Sequence, residues 1–351
     1  MFYIKINSLY NNMTDNNEIS NILNQKLCEE KNLIPTSFEN YTDTCINYDE
    51  GRYPVGLKNY FEIFQNSKNK SLCDIGCGTG NYIIPFINKF EYICGIDLNF
   101  AMLSIANQKI NNNFKLTNVV VNDDTNCVNN SNNDNNIANN ANNSNSANNI
   151  NNIDDANNIG KINNVELIHA DMKNIPKNNE TFDYIMFNQS IHHIHELDII
   201  VALTEAHRIL KIGGTCIINT CTSEQQKNSF WWASLIPNAI EKVQKKFPMK
   251  HSMDNNFINM VLAIGFELYK KEIIYEHLQG NQYYNINGPF NKKYRDADST
   301  WKLATEDELN NGLFLLENII NSNKSNDWLN ERKKIEHKYG QSIMLVFKKI
   351  E

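Results

Sequence analysis

The chain has 351 residues, with 33 Lys and Arg against 40 Asp and Glu, a net charge of −7 and 41% hydrophobic residues. This length suits about two domains of ordinary size. An acidic chain has no global electrostatic reason to bind DNA or an anionic membrane, so we expect neither partner, although a local basic patch stays open. No apolar run approaches the ~18–20 residues of a membrane-spanning helix, and the first residues lack the continuous apolar stretch of a secretory signal.

A low-complexity tract over residues 111–164 divides the chain. Nearly half of its residues are Asn, and it shows neither a helical nor a strand period. Such a composition cannot bury enough apolar surface to offset the entropy lost on ordering, so we interpret the tract as a disordered insert. We assign residues 1–40 to a polar extension and residues 41–351 to one folded domain that the tract interrupts.

The eight cysteines show no pairing pattern. They stand at positions 28, 45, 73, 77, 94, 127, 216 and 221, which gives neither a C-x-x-C pair nor a compact disulfide framework. Several lie within apolar runs, where buried free thiols are usually found. We therefore expect a protein of a reducing compartment, the cytoplasm or the nucleus.

The segments on either side of the tract alternate between strands and helices. Strands are predicted at residues 71–76, 91–97, 165–170, 182–190, 215–221, 266–277 and 341–349. Helices are predicted at residues 81–90, 99–110 and 197–210. Strands that alternate with helices form parallel sheets with right-handed crossovers, so the pattern predicts an α/β fold.

Two regions outside this alternation are rich in Trp, Tyr and Phe. Residues 222–262 and 278–330 contain helix-like segments, and we expect them to form a cap that encloses a substrate. The pair Trp231-Trp232 falls within one predicted helix. Adjacent side chains on a helix point about 100° apart, so at most one of the two can face a pocket.

A glycine-rich turn, with the sequence DIGCGTGN over residues 74–81, follows the first strand. Glycines there allow a tight turn and a close approach of the backbone to a ligand. The turn departs from the dinucleotide pattern G-x-G-x-x-G, because Asn81 stands where the third Gly is expected. Asp74, two residues before the first Gly, suits a cationic ligand better than a pyrophosphate.

Two more acids follow the next strands of the predicted sheet. Asp97 ends the second strand, where a carboxylate can accept the ribose hydroxyls of a nucleotide-like ligand. Asp171 and Met172 follow the third strand. Because ligands of open α/β sheets bind outside the carboxyl ends of the strands, the three acids are expected around one crevice.

Together these motifs resemble the class I S-adenosylmethionine-dependent methyltransferases. The matching segments are LCDIGCGTGNY, GIDLN, HADMKNIP, FDYIMFNQSIHHI and EAHRILKIGGTCIIN, which cover residues 71–219 around the insert. The resemblance implies a Rossmann-like, doubly wound sheet of seven strands, mostly parallel with an antiparallel last strand. It also implies S-adenosylmethionine as the methyl donor and S-adenosylhomocysteine as the product.

The resemblance assigns the cofactor-binding residues by motif position. The assigned residues are Arg52, Asp74, Gly76, Cys77, Gly78, Gly80, Asp97, Leu98, Asp171, Met172 and Asn188. Asp74 and the glycines would flank the methionine part of the donor, Asp97 the ribose, and Asp171 with Met172 the adenine. Asn188 would line the point of methyl transfer.

Other interpretations of these residues stay open. The glycine turn with Asp97 also fits another nucleotide site, and Asp171 also fits a turn or helix-cap acid. His192, His193 and His195 are dense, but residues one and two apart do not share a helix face, so we expect no metal there. His193 is the candidate general base, with a structural role as its alternative.

The sequence thus predicts in-line methyl transfer to a small-molecule acceptor. We expect the acceptor to be apolar or aromatic, because the predicted cap is rich in aromatic residues. RNA is the alternative acceptor, and a catalytically silent scaffold that keeps the fold is the alternative of another class. The intact glycines and three acids argue against the scaffold. A basic stripe for RNA could come from four lysines that would otherwise form a solvated helix face: Lys242, Lys245, Lys246 and Lys250.

Overall fold

The computed structural model describes residues 48–49, 51–122, 158–246, 255–296 and 298–350. The predicted extension at residues 1–40 and the central part of the Asn-rich tract lie outside these ranges. No described helix is both long enough and apolar enough to cross a membrane.

Eight strands of the described residues form one sheet, in the order β3-β4-β2-β1-β5-β6-β8-β7. Their bounds are β1 Ser71–Ile75, β2 Tyr92–Asp97, β3 Asn158–Ile162, β4 Val165–His169, β5 Phe182–Asn188, β6 Leu210–Thr220, β7 Phe266–Ile274 and β8 Ser342–Lys349. The five strands from β4 to β6 in this order pair in parallel, and the last strand, β8, is antiparallel to both of its neighbours. The predicted seven-stranded, mostly parallel fold is therefore confirmed, and β3 adds an antiparallel edge strand.

Nine α-helices lie within the described residues. They are α1 Leu57–Ile63, α2 Phe100–Asn122, α3 Glu196–Ile209, α4 Ser223–Asn228, α5 Pro237–Lys246, α6 Asn255–Ala263, α7 Lys292–Asp296, α8 Glu306–Asn321 and α9 Ser325–Tyr339. The predicted helix over residues 81–90 is wrong, because only a 3₁₀ turn forms there, at Ile84–Phe86. Pro85 lacks a backbone N–H and so removes a helical hydrogen bond.

The boundaries predicted for the insert were too wide at both ends. Helix α2 continues beyond residue 110, because Phe114 follows the buried Ile110 at helical spacing and packs against the same core cluster. Strand β3 lies within the other end of the tract and pairs with β4. Residues 123–157, between these two elements, lie outside the described part of the chain.

Both faces of the sheet are covered by apolar side chains. Successive residues of a strand point to opposite faces. Cys73 of β1 belongs to the core cluster that includes Leu203 of α3 and Val261 of α6. Leu72 belongs to the cluster on the other face, which includes Leu103 of α2. Helix α6, at the C-terminal end of the predicted cap segment 222–262, thus packs on the sheet.

A third apolar cluster joins segments that lie far apart in sequence. It includes Trp231, Trp232, Tyr283, Trp301 and Leu316. Trp231 and Trp232 are both fully buried. They lie between α4 and α5, so the prediction that one helix holds both residues is wrong. The break has a physical cause, since proline is favoured at the first turn of a helix and α5 begins at Pro237.

Candidate active site

The glycine turn leaves β1 through left-handed backbone conformations. At Gly76 φ is +75°, and at Gly80 it is +76°, a region that L side chains rarely adopt. A Cβ added at Gly76 would lie 2.4 Å from the Cβ of Ser190. At Gly78, by contrast, an added Cβ would meet no described atom within 4 Å, so this side of the turn is open.

Asp74 carries a buried carboxylate beside this turn. The residue is 1% exposed, and its Oδ1 accepts a hydrogen bond from the Asn188 amide at 3.1 Å. Its Oδ2 has no hydrogen-bond partner among the described residues. Burial raises the pKa of Asp74 to about 7, although the Asn188 hydrogen bond opposes the rise. A buried carboxylate oxygen that is unpaired costs free energy, so this position is suited to a cationic ligand group.

Tyr60 of α1 orients Asn188, a contact that the sequence did not predict. The Tyr60 hydroxyl donates a hydrogen bond to Oδ1 of Asn188, whose Nδ2 donates to Asp74. Because Tyr60 occupies the carbonyl oxygen of the amide, the NH₂ group of Asn188 is directed at Asp74. The helical spacing of the aromatic residues in α1 predicts that Tyr60 is buried, but it carries no signal of this polar contact.

Asp97 ends β2 and braces the glycine turn. Its Oδ2 accepts the N–H of Gly78 at 2.7 Å, and its Oδ1 accepts the N–H of Asn99 at 2.8 Å. Burial raises the pKa of Asp97, while these backbone hydrogen bonds act in the opposite direction. The charge of Asp97 also raises the pKa of Asp74, which indicates that the two carboxylates share one environment. Each oxygen of Asp97 retains the capacity for a further hydrogen bond.

The residues after β4 and β2 occupy the rim of the same edge. Asp171 accepts the N–H of Lys173 at 2.9 Å, so it does act as a turn acid. The Cε of Met172 lies 3.7 Å from the position of a Cβ added at Gly76, which brings this side chain to the glycine turn. Leu98 is exposed and directly follows Asp97.

The side chain of Cys77 points away from the crevice. It is buried in a core cluster, and its Sγ lies 3.0 Å from the position of a Cβ added at Gly95. Burial raises the pKa of the Cys77 thiol well above its usual value. The sulfur thus fills the gap above a glycine of β2, and the assignment of Cys77 to the cofactor stays a prediction that concerns its backbone.

Asp49 ties the segment before α1 to the glycine turn. Its carboxylate accepts hydrogen bonds from Thr79 Oγ1 at 2.6 Å and Asn81 Nδ2 at 2.9 Å, and it pairs with Lys109 of α2 at 2.7 Å. These contacts lie far apart in sequence, so no local pattern predicts them. They place the Asn81 side chain in a structural role at the position where a dinucleotide site has Gly.

Arg52 lies on the same N-terminal segment and reaches the cap. Its guanidinium pairs with Asp298, with 3.5 Å between Nη2 and Oδ2, and its carbonyl accepts a hydrogen bond from Asn81 at 3.2 Å. Asp298 also caps the 3₁₀ turn Ser299–Leu303. Arg52 thus stands between the glycine turn and the cap.

The three histidines after β5 have separate environments. His192 is buried, and its Nδ1 lies 2.6 Å from Thr220 Oγ1. Burial lowers the pKa of His192 well below its usual value, so its ring is neutral at pH 7. His193 is half-buried, with its ring 4.2 Å from that of His192, and His195 caps α3.

Comparisons with known proteins identify the family. A family described as a methyltransferase domain matches residues 50–268. A Saccharomyces cerevisiae protein described as an S-adenosylmethionine-dependent methyltransferase is 40% identical over 78 residues, which are 22% of this chain and only 27% of that protein.

A solved structure shows the same fold. It is a methyltransferase from an antibiotic biosynthesis pathway of Anabaena variabilis, with a TM-score of 0.58 and 15% identity over 85% of this chain and 99% of its own. The family match spans more than half of the chain, and the glycine turn with its carboxylates lies inside it. The chain therefore belongs to the methyltransferase domain family, within the class I S-adenosylmethionine-dependent methyltransferases.

Proposed function

We propose that this protein transfers a methyl group from S-adenosylmethionine to a small-molecule acceptor. The observation that carries the proposal is the Oδ2 atom of Asp74, which is buried and has no partner among the described residues. The donor has a cationic ammonium group on its methionine part. The carboxylate of an ionised Asp74 would pair with the positive charge of that group, and the open glycine turn would leave space for it.

The other carboxylates support the remaining contacts with the donor. Asp97 would accept the ribose hydroxyls with the hydrogen-bonding capacity that Gly78 and Asn99 leave. Asp171 would accept from the adenine amino group, with Met172 against the ring and Leu98 at its edge. Asn188 and Gly76 would border the methionine part.

When it is bound, S-adenosylmethionine supplies a methyl group that is already activated on a sulfonium centre. The residues of this chain therefore need to orient the donor and the acceptor, exclude water from the site and accept a proton from the acceptor. Alignment of the reacting groups at near-attack distance can lower the barrier by ~7–11 kcal/mol. His193 is the proposed base for an acceptor that must lose a proton, because it is half-buried just after β5.

The aromatic residues of the cap support a small molecule as the acceptor. Trp231, Trp232 and Trp301 belong to the third apolar cluster, and the ring centroids of Trp232 and Trp301 lie 4.8 Å apart. Small-molecule sites are lined mainly by apolar and aromatic groups with a few polar ones. RNA would instead need an extended basic surface beside the donor site.

Two measurements on the purified full chain test the proposal. Isothermal titration calorimetry should detect binding of S-adenosylmethionine and comparable or tighter binding of S-adenosylhomocysteine. Donor labelled in its methyl group should then transfer label to a metabolite extract and not to an RNA pool. Label in the RNA would overturn the small-molecule acceptor, and absence of donor binding would favour the silent scaffold.

A further inference from the structure

Two buried glutamines outside the donor crevice carry amide atoms with no hydrogen-bond partner among the described residues. Gln279, before a 3₁₀ turn of the cap, is 4% exposed, and neither its Oε1 nor its Nε2 is paired. Gln226 of α4 is 6% exposed, and its Oε1 is likewise unpaired, while its Nε2 donates to the Cys221 sulfur at 3.6 Å. Most buried polar groups in proteins are paired, because an unpaired one costs about 1–3 kcal/mol. Two such amides in one region therefore indicate a binding function.

Contacts of neighbouring residues connect both glutamines with the ion pair between Arg52 and Asp298. The backbone N–H of Tyr53, next to Arg52, donates to the carbonyl of Leu278, which precedes Gln279. Gln226 donates a hydrogen bond to the sulfur of Cys221. Burial raises the pKa of that thiol, the charge of Asp298 adds to the rise, and the charge of Arg52 opposes it. The ion pair thus links two segments of the cap with the N-terminal segment.

The polar cluster of Gln226, Gln279, Arg52 and Asp298 adjoins the proposed point of methyl transfer. Asn188 at the end of β5 is the register partner of Asn219 in β6, and Cys221 stands two residues after Asn219. The charge of Arg52 also lowers the pKa of His192, which lies just beyond β5. The contact between Gln226 and Cys221 therefore lies at the edge of the sheet that holds Asp74.

The polar groups of the cluster are balanced in charge. Arg52 and Asp298 neutralise each other at 3.5 Å, with side chains that are 17% and 9% exposed. His192 is neutral, since burial lowers its pKa. The unpaired atoms comprise the two amide oxygens as acceptors and the Gln279 NH₂ as a donor, and the buried indole N–H of Trp301 in the adjoining turn adds a second donor. An amide both donates and accepts, so it pairs with hydroxyl, carbonyl or carboxamide groups without adding charge.

We propose that Gln226 and Gln279 bind the methyl acceptor, and that this acceptor is an uncharged small molecule with hydroxyl, carbonyl or carboxamide groups. The inference rests on the proposed methyltransferase function and narrows its substrate class. A carboxylate or phosphate would need a cation of its own, whereas the cation of this cluster already faces Asp298. The two amides would fix the orientation of the acceptor.

The first test separates a metabolite extract by charge. The extract is passed over a cation-exchange resin and then an anion-exchange resin at pH 7. The uncharged flow-through and the two salt-eluted ionic pools are each incubated with the full chain and methyl-labelled donor. The proposal predicts that the flow-through carries at least ten times the label of either ionic pool. Labelling confined to the cationic or the anionic pool would overturn it.

The second test uses near-isosteric variants, Gln226→Met and Gln279→Met, with Gln282→Met as the control. Gln282 lies in the same loop as Gln279 but is exposed. With the flow-through as substrate, each buried variant should raise the KM for the acceptor at least tenfold, while the Kd for S-adenosylhomocysteine changes less than twofold. The control should change neither quantity.

The stability of the variants separates a binding role from a structural one. Gln279→Met removes an unpaired buried amide, so its Tm should equal or exceed that of the wild type. A lower Tm with an unchanged KM would assign Gln279 to the core and overturn the proposal. If the wild type failed to bind S-adenosylhomocysteine, the proposed function itself would fall, which is a separate result.

Discussion

The most unusual residue of the site is Asp74, because its carboxyl is buried and only half paired. Its pKa is raised to about 7, so folding disfavours the ionised form. The cost is absent below the ordinary pKa of Asp near 4, grows as the pH rises, and is complete above pH 7. The rise from the ordinary value to about 7 corresponds to ~4 kcal/mol of stability lost at pH 8. We interpret the lower stability as the consequence of a buried negative charge that the cationic donor neutralises when it binds.

The affinity for the donor should therefore depend on the protonation of Asp74. Because the ammonium group needs the ionised carboxylate, the Kd for S-adenosylhomocysteine should rise about tenfold between pH 8 and pH 6. Calorimetry in buffers of different ionisation enthalpy should also detect a proton released on binding below pH 7. The variant Asp74→Asn should bind weakly with no pH dependence and should unfold at a higher denaturant concentration at pH 8. A wild-type Kd that is constant from pH 6 to pH 8 would disprove this role.

Tyr60 is expected to act on the donor only through Asn188. The variant Tyr60→Phe loses one hydrogen bond, worth about 0.5–1.5 kcal/mol, so affinity for S-adenosylhomocysteine should fall about three- to tenfold. The freed Asn188 amide should hold the ionised Asp74 less well, which moves the pH midpoint of binding upward.

Tyr82→Phe is the matched control for Tyr60→Phe. Tyr82 is buried in the same aromatic group, and its hydroxyl bonds the backbone of Val55 instead of Asn188. Equal pH midpoints of S-adenosylhomocysteine binding in the two variants would show that Tyr60 has only a structural role in the core.

Two glycines of the turn should respond differently to the same substitution. Gly78→Ala adds a methyl group in open space at φ +53°, so it should cost only about 1–2 kcal/mol of stability but weaken donor binding at least tenfold. Gly76→Ala adds the same backbone strain and a clash with Ser190, so it should destabilise the fold more. Urea denaturation and calorimetry together check this contrast. Unchanged donor affinity in a folded Gly78→Ala protein would place the donor away from the turn.

At the scale of the elements, prolines and non-local contacts set the limits of the sequence analysis. The seven predicted strands all form, with ends that differ by at most five residues, because their apolar runs end in clear turn signals, and β3 was missed. Two helices were misassigned, since a helical spacing of apolar residues spans Pro85 and Pro237, where the helical hydrogen bonds are interrupted. The extension of α2 past residue 110 was missed because three consecutive Asn residues, at positions 111–113, separate Ile110 from Phe114 and obscure the helical spacing.

The Asn-rich tract is expected to be dispensable between α2 and β3. Deletion of residues 124–156, with a ten-residue Gly-Ser linker in their place, keeps both elements intact. Because loop-closure entropy changes only slowly with loop length, the Tm should shift by less than a few degrees and the Kd for S-adenosylhomocysteine should be unchanged. Thermal unfolding and calorimetry measure both quantities. A large loss of either would show that the tract stabilises the domain.

At the scale of the whole molecule, the grouping of the residues at the strand ends was predictable, and the packing of the cap segments was not. Asp74, Asp97 and Asn188 end neighbouring parallel strands, so topology alone brings them together. The pairing of Arg52 with Asp298 and the burial of Gln279 depend on contacts between distant segments. No periodicity or motif marks these contacts, because they arise from how the cap packs on the N-terminal segment.

The most direct test of the central claim is a calorimetric titration of S-adenosylhomocysteine into the wild type, Asp97→Asn and Asp183→Asn. Asp183 is the control, because it lies near the amino end of β5 and bonds Ser71 and Lys211. Loss of hydrogen bonds to a charged acceptor, about 1.5–3 kcal/mol each, should weaken binding at least tenfold in Asp97→Asn. Asp183→Asn should keep the wild-type Kd despite a lower Tm. Equal Kd values for all three proteins would contradict the account.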